Sequence, residues 1–232
     1  NKNPGEYRGV PARIGTPPDD IHEARFIPPP ADEIPSLMTN LIDYLNTSSH
    51  ANLITAAITH YQFETIHPFS DGNGRLGRLL IPLYLVRNHD LHHPLLYLSD
   101  YFNKHRGEYM ERLYKVSQAG ELREWITFFL NAVDEQSQRS QTTINDLNDL
   151  KQEYMTELRA NHRSANLLEI TKALFASPYI TKSKAAELAN TTYQTAHTNL
   201  NKLQDAGFLH ESHKRGKHTV YVAPDILRIL KS

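Results

Sequence analysis

Apolar side chains recur three and four positions apart along most of this chain, a period that predicts helices. Leu37, Leu41, Tyr44 and Leu45 line one face of Ile34–Leu45, with Pro35 in the first turn, where helices tolerate proline. Thr47, Ser48 and Ser49 offer caps for a second helix carrying Ile54, Ile58 and Tyr61. Pro68 disfavours the helical region for His67, so that helix should end near Ile66. Leu76, Leu79, Leu80 and Leu83 open a third helix, which Pro82 should kink before Arg87. Asp100 can cap a helix over Tyr101–Val116, and Gly120 breaks it. Leu122, Trp125, Ile126, Phe129 and Val133 then form a core stripe. Beyond Gln136, Ile144, Leu147, Tyr154 and Leu158 keep the period in a polar background, as in a long amphipathic helix.

Two regions break the helical rule. Val10–Gly15 and Glu23–Ile27 are β-prone and separated by Thr16-Pro17-Pro18-Asp19-Asp20, a turn composition. A hairpin over about 10–27 and an irregular loop both fit. Near the C-terminus, helices Leu167–Ala176, Lys182–Ala189 (capped by Thr181) and Thr192–Ala206 precede two strands, Phe208–Ser212 and His218–Ala223. Three helices followed by a hairpin resemble a winged helix-turn-helix. Thr192–Ala206 would be its recognition helix, and Lys214, Arg215 and Lys217 its wing. That helix holds a single Lys/Arg, Lys202, so DNA contact and protein contact both stay open.

The chemistry gathers in His67-Pro68-Phe69-Ser70-Asp71-Gly72-Asn73-Gly74-Arg75-Leu76-Gly77-Arg78, between two apolar helices. Histidine takes up a proton near neutral pH. Gly72 and Gly74 permit a turn whose N–H groups, at a helix start, form an anion cradle. Arg75 and Arg78 lie three apart and can fork onto phosphate oxygens. Asp71 would repel a bare phosphate, so beside that cradle it implies a bridging hard cation such as Mg2+. No Lys-Ser/Thr follows the glycines and no strand precedes them, which excludes a P-loop and a dinucleotide-binding turn.

The window matches every specified position of the Fic-family signature HPF-x-(D/E)-GNGR-x-x-R, and the resemblance runs from about Asn3 to about Val133. It implies an enzyme that transfers AMP from ATP to a Ser, Thr or Tyr hydroxyl of a target protein or of itself. By position His67 resembles the general base and Asp71 the Mg2+ ligand. Gly72, Asn73 and Gly74 resemble the phosphate-binding turn, and Arg75 and Arg78 the phosphate-contacting arginines. Leu76 and Gly77, inside the motif, are counted with the nucleotide-binding stretch. The β-prone region would be the flap that seats the target by strand addition, with Arg25, Phe26 and Ile27 lining the pocket. Tyr101-Phe102, Arg106 and Tyr109 resemble the YF-x-x-x-R-x-x-YY segment at the nucleotide base, with Met110 in place of the second aromatic. Tyr109 as nucleotide contact and Tyr109 as plain core both fit. His60 reads as packing, Glu64 as a solvated helix charge, and His89, His92 and His93 as a polar loop.

The expected fold is mainly α: a Fic-like helical core with a flap over residues 1–138, a linker helix over 139–163, and a winged helix over 164–232. Rival readings are AMP removal, transfer of another phosphate-linked group, and a non-catalytic nucleotide-sensing DNA-binding regulator. A homodimer through the long helix stays open. At 39% hydrophobic and 22% charged residues the chain has the composition of a globular domain. Its net charge of −1 selects neither nucleic acid nor membrane, although 164–232 carries 9 Lys/Arg against 5 Asp/Glu. Absent cysteines rule out disulfides and thiolate chemistry and fit a cytoplasmic location. No apolar run is long enough to span a membrane. The family's inhibitory pattern (S/T)-x-x-x-E-(G/N) is missing. The chain opens on Asn1, so that helix is expected in an upstream segment or on a partner.

Overall fold

The computed structural model describes residues 5–15, 25–160, 165–215 and 218–231. The expected turn at Thr16–Asp20, Glu23 of the flap, and Lys217 of the wing lie outside them. Two compact units divide after Gln138.

The first unit is helical. A 3-10 turn, Ala31–Glu33, leads into α1 (Ile34–Thr47), followed by α2 (Asn52–Ile66), α3 (Asn73–Arg87), α4 (Leu98–Lys104) and α5 (Arg106–Ala119). α6 (Leu122–Ala160) begins here and carries the boundary between the units. Its Trp125, Phe128, Phe129 and Ala132 pack with Ala56, Ala57 and Tyr61 of α2, Ile81, Tyr84 and Leu85 of α3, and Phe102 of α4. Trp125 is fully buried and donates its indole N–H to the Ala57 carbonyl at 2.9 Å, which satisfies the one polar atom of the ring. A smaller cluster joins Ile34 and Leu41 to Phe63 and Ile66.

Several elements differ from expectation. The second helix is capped by Ala51 without a side-chain bond, not by Thr47–Ser49. Leu98, not Tyr101, opens the next helical stretch, and His105 divides it into α4 and α5, so Asp100 lies inside the first turn instead of capping it. Among the described residues of the expected flap hairpin, Ile14 and Phe26 form an antiparallel bridge closed by N–H···O bonds of 3.0 and 3.2 Å.

The second unit contains α7 (Ala165–Leu174), β1 (Tyr179–Thr181), α8 (Lys182–Leu188), α9 (Tyr193–Asp205), β2 (His210–Arg215), β3 (His218–Val222) and α10 (Pro224–Lys231). The strands form an antiparallel sheet in the order β1-β3-β2. Ile180 pairs with Tyr221 on one side of β3, and Glu211 with Tyr221 on the other, with a bulge before His213. Thr181 caps α8 as expected, accepting from Lys184 N–H. β1 and α10 were not foreseen, since three residues are too few to show alternation. Tyr154 of α6 stacks on Phe208 with centroids 3.8 Å apart and donates its hydroxyl to Asp225 at 3.0 Å.

Candidate functional site

The loop after α2 is held from three sides. Pro68 ends the helix, and His67 takes a left-handed conformation at φ 51° as its C-terminal cap, its N–H still bonded to the Phe63 carbonyl. Few non-glycine residues accept that region, so something must secure it. Arg8 does. Its buried guanidinium donates to the carbonyls of His67 at 2.8 Å, Val10 at 2.9 Å and Pro29 at 2.6 Å, and its own N–H bonds the Pro68 carbonyl at 2.8 Å. The acceptors at His67 and, more weakly, Ile66 are carbonyls at a helix C-terminus that the helical ladder leaves unpaired, where a cation is favoured. In the sequence, Asn3-Pro4-Gly5-Glu6-Tyr7-Arg8 reads as a turn followed by an arginine and resembles the family's entry to the catalytic core, which does not give Arg8 this clamping role.

Asn73 closes the other end of the loop. Its side chain is buried, accepts from Phe69 N–H at 2.9 Å and donates to the Phe69 carbonyl at 2.7 Å. The Asn73 amide therefore braces the turn, and its expected phosphate contact is left to the backbone. Gly72 caps α3 at φ 86°, a conformation glycine adopts freely. As at any helix start, the first N–H groups after it lie outside the helical ladder. A β-carbon on Gly74 would come within 3.0 Å of Arg78 Nη1, so glycine lets that guanidinium fold back against the turn.

A cavity of about 260 Å³ opens beside this loop. Its wall includes His67, Gly74, Arg78 and Tyr109 of the expected site, and Arg25 and Phe26 of the expected flap. Ile14, Glu64, Phe102, Asn103, Arg106, Met110 and Leu113 complete most of it. Arg25 reaches across to α5, pairing with Glu111 and lying 4.8 Å from the Tyr114 ring centroid. Asp71, Gly72, Asn73 and Arg75 stand next to the cavity in sequence but do not line it. Arg75 is 77% exposed and lies 3.7 Å from the Asp71 carboxylate, itself 46% exposed. Three expected positions point elsewhere. Leu76 lines a separate apolar groove with Tyr7, Met38 and Phe69. Gly77 is buried where α3 meets α2, and Ile27 is 67% exposed.

The electrostatics set the protonation states. His67 Nδ1 lies 3.3 Å from the Glu64 carbonyl, which can only accept, so Nδ1 carries the proton and Nε2 is the basic nitrogen. Burial holds His67 below its ordinary value; the Glu64 bond opposes this, and the Arg8 charge adds to it. The imidazole is therefore neutral at pH 7.

Glu64 departs from the solvated charge expected of it. The residue is only partly covered, yet its Oε1 is sealed from solvent without a hydrogen-bond partner. Burial pushes its carboxyl up to about 7, against the nearby Arg78 charge. Arg78 donates Nε–H to Ser99 Oγ at 3.1 Å. Among the described residues no cluster of three His, Cys, Asp or Glu side chains could hold a metal unaided, and no helix is long and apolar enough to cross a membrane.

Residues 2–85 match the model of the Fic/DOC family. A probable protein adenylyltransferase of Aquifex aeolicus is 41% identical over 69 residues, covering 29% of this chain and 22% of that protein. The protein adenylyltransferase Fic of Aedes aegypti is 33% identical over 118 residues, covering 49% of this chain and 22% of that protein. The chain thus spans less than a quarter of the length of either relative. The crystal structure of a Fic family protein from Desulfovibrio desulfuricans G20 aligns with a TM-score of 0.53 at 22% identity, over 94% of this chain and 62% of that one. That likeness concerns the fold.

Proposed function

We propose, from the match of residues 2–85 to the Fic/DOC family model, that the chain is a protein adenylyltransferase, transferring AMP from ATP to a hydroxyl side chain of a protein. The names of the relatives in Aquifex aeolicus and Aedes aegypti support this reading. The observation that carries it is a neutral His67 on the wall of a cavity that also presents Arg78 and the start of α3. The hydroxyl oxygen of a Ser, Thr or Tyr forms a bond to the α-phosphorus, the bond from that phosphorus to the β-bridging oxygen breaks, and pyrophosphate departs. His67 Nε2 receives the hydroxyl proton. Such help is worth about 10² to 10⁴ in rate. The N–H groups at the start of α3, with Arg75 and Arg78, hold the phosphate chain and meet its developing charge.

The residues fit a Mg2+ ion held mostly by its substrate. Asp71 offers one half-exposed carboxylate at the tip of the loop, and Mg2+ commonly takes one or two carboxylates plus substrate phosphates. When bound, Mg2+ offsets phosphate charge. The bridge between Ile14 and Phe26, both on the cavity wall beside Arg25, supports a target segment entering there as an added strand. For the second unit, the order of helices and strands supports a winged helix-turn-helix. With Lys202 the single Lys/Arg of α9, protein contact is favoured over DNA. Salt-dependent binding of a duplex in an anisotropy titration would reverse that preference.

The test is ATP labelled separately at the α- and γ-phosphate, incubated with the chain and a lysate. Label retained on protein from the α-position alone supports nucleotidyl transfer. Label from the γ-position would make the chemistry phosphoryl transfer and reject the proposal.

A further inference from the structure

Ile14 and Phe26 exchange both of their backbone hydrogen bonds, at 3.0 and 3.2 Å, as a hydrogen-bonded pair of an antiparallel ladder does. Successive residues of such a strand turn their N–H and C=O groups to opposite edges. Phe26 faces Ile14, so the backbone groups of Arg25 and Ile27 face the other edge. Ile27 is exposed, so its end of that edge is open. A pairing edge serves a reaction only if it is held still beside the reacting groups.

The Arg25 side chain supplies the hold. Its guanidinium crosses to α5, pairs with the Glu111 carboxylate and lies over the Tyr114 ring, 4.8 Å from the centroid. Glu111 and Tyr114 are three apart on one helix, close enough to share one planar group. Gly15 stands opposite Arg25 in the bridge. A β-carbon on Gly15 would come within 3.1 Å of Arg25 Cβ, so a side chain there would crowd the arginine. Arg25 and Tyr114 line the cavity with His67 and Arg78; Glu111 does not. Arg25 and Glu111 are 86 positions apart, so the pair ties the Phe26 segment to a helix of the cavity wall. Both side chains are 43% exposed, which makes the tie modest and open to screening by salt.

We propose that Glu111 is a positioning residue for the protein substrate: by holding Arg25 on α5 it fixes the strand edge of Arg25 and Ile27 at the cavity, where an extended target segment pairs with it. This rests on the adenylyltransferase reading. The edge takes an extended polypeptide and recognises it through its main chain. Glu111 lies off the cavity wall and acts through Arg25.

The test follows label from α-labelled ATP onto the proteins of a dialysed lysate, at increasing lysate concentration, using the full chain. Hydrolysis of the same ATP to AMP and calorimetric ATP affinity are measured beside it. Glu111→Gln, a change at the surface, should raise the lysate concentration for half-maximal transfer about threefold, the scale of one exposed ion pair. The maximal rate, the ATP affinity and AMP formation should stay within about twofold, because none of them calls on a paired strand. Arg25→Glu and Glu111→Arg each set like charges face to face and should raise that concentration further. Their combination restores an opposite pair and should outperform both. Salt at about 0.5 M should bring the wild type close to Glu111→Gln. Loss of ATP affinity in step with transfer would assign the pair to the nucleotide site and overturn the inference, as would a combination no better than the single reversals. A wild-type chain that labels no protein removes the adenylyltransferase reading, and this inference with it. Labelling that is present in the wild type and indifferent to Glu111→Gln and Glu111→Arg rejects the positioning role alone.

Discussion

His67 Nδ1 is tied to the main-chain oxygen of Glu64, one turn back on the same helix. Because that oxygen only accepts, the basic nitrogen is Nε2, and a helix end fixes which face of the ring can take a proton. Burial lowers His67 from its ordinary 6.5, so its neutral form persists to lower pH. A base is lost as pH falls through its own pKa. The rate should therefore be level at pH 7 and decline only below about pH 6.5. A profile of kcat/KM against pH checks this, and an acid limb lying above pH 7 in both wild type and Glu64→Gln would contradict it.

Glu64 should leave its own mark on stability. Its carboxyl is raised from 4.5 to about 7 in the fold. Between those values the folded chain keeps a proton that the unfolded chain releases, so stability falls as pH rises through that window. The loss is about 3 kcal/mol once both states are ionised. Glu64→Gln should flatten this dependence and be the more stable protein at pH 8. Urea denaturation at pH 5 and pH 8 measures it; parallel losses in both proteins would remove Glu64 as the cause.

Arg8 holds its carbonyls with a planar fork that a lysine cannot reproduce. Arg8→Lys should cost about 2 to 4 kcal/mol of stability, the scale of several lost charged hydrogen bonds partly replaced by one ammonium. Because Arg8 grips the His67 carbonyl and does not itself line the cavity, kcat should fall more than ATP affinity. Thermal denaturation together with ATP titration separates the two; equal loss of both would argue for general disorder of the loop.

Gly77 is the point where α3 meets α2. A β-carbon there would come within 3.1 Å of Phe63 Cδ1 and would overlap the Glu64 carboxyl. Gly77→Ala should destabilise by about 1 to 3 kcal/mol, the usual cost of overpacking. Adding Glu64→Ala should restore part of that, since the overlapping carboxyl is then gone. No recovery in the double variant would place the strain at Phe63.

Most helices were legible in the chain because their apolar period is regular, and Pro68 marked the end of α2 to the residue. The cluster of His67, Gly74 and Arg78 was legible because one continuous window carries it. What escaped depends on contacts between distant segments. Arg8 meets His67 across 59 positions, and His60 meets Tyr109 across 49. Glu64 looks like any helix charge until Gly77 closes over it. Leu76 and Gly77 sit inside the motif, yet α3 turns both away from the cavity, because residues one and two apart on a helix cannot share a face with Arg78. Composition within the window could not make that distinction; helical geometry does.

In the proposed reaction His67 accepts the proton of the hydroxyl that AMP then modifies. Intact-mass and peptide mass spectrometry after incubation with ATP and Mg2+, alone and with lysate, beside His67→Ala, tests it most directly. An AMP-sized adduct on Ser, Thr or Tyr in the wild-type reaction, reduced about 10²-fold or more in the variant, is the predicted result. Equal adduct formation by His67→Ala, or none from a wild-type chain that demonstrably binds ATP, would contradict the account.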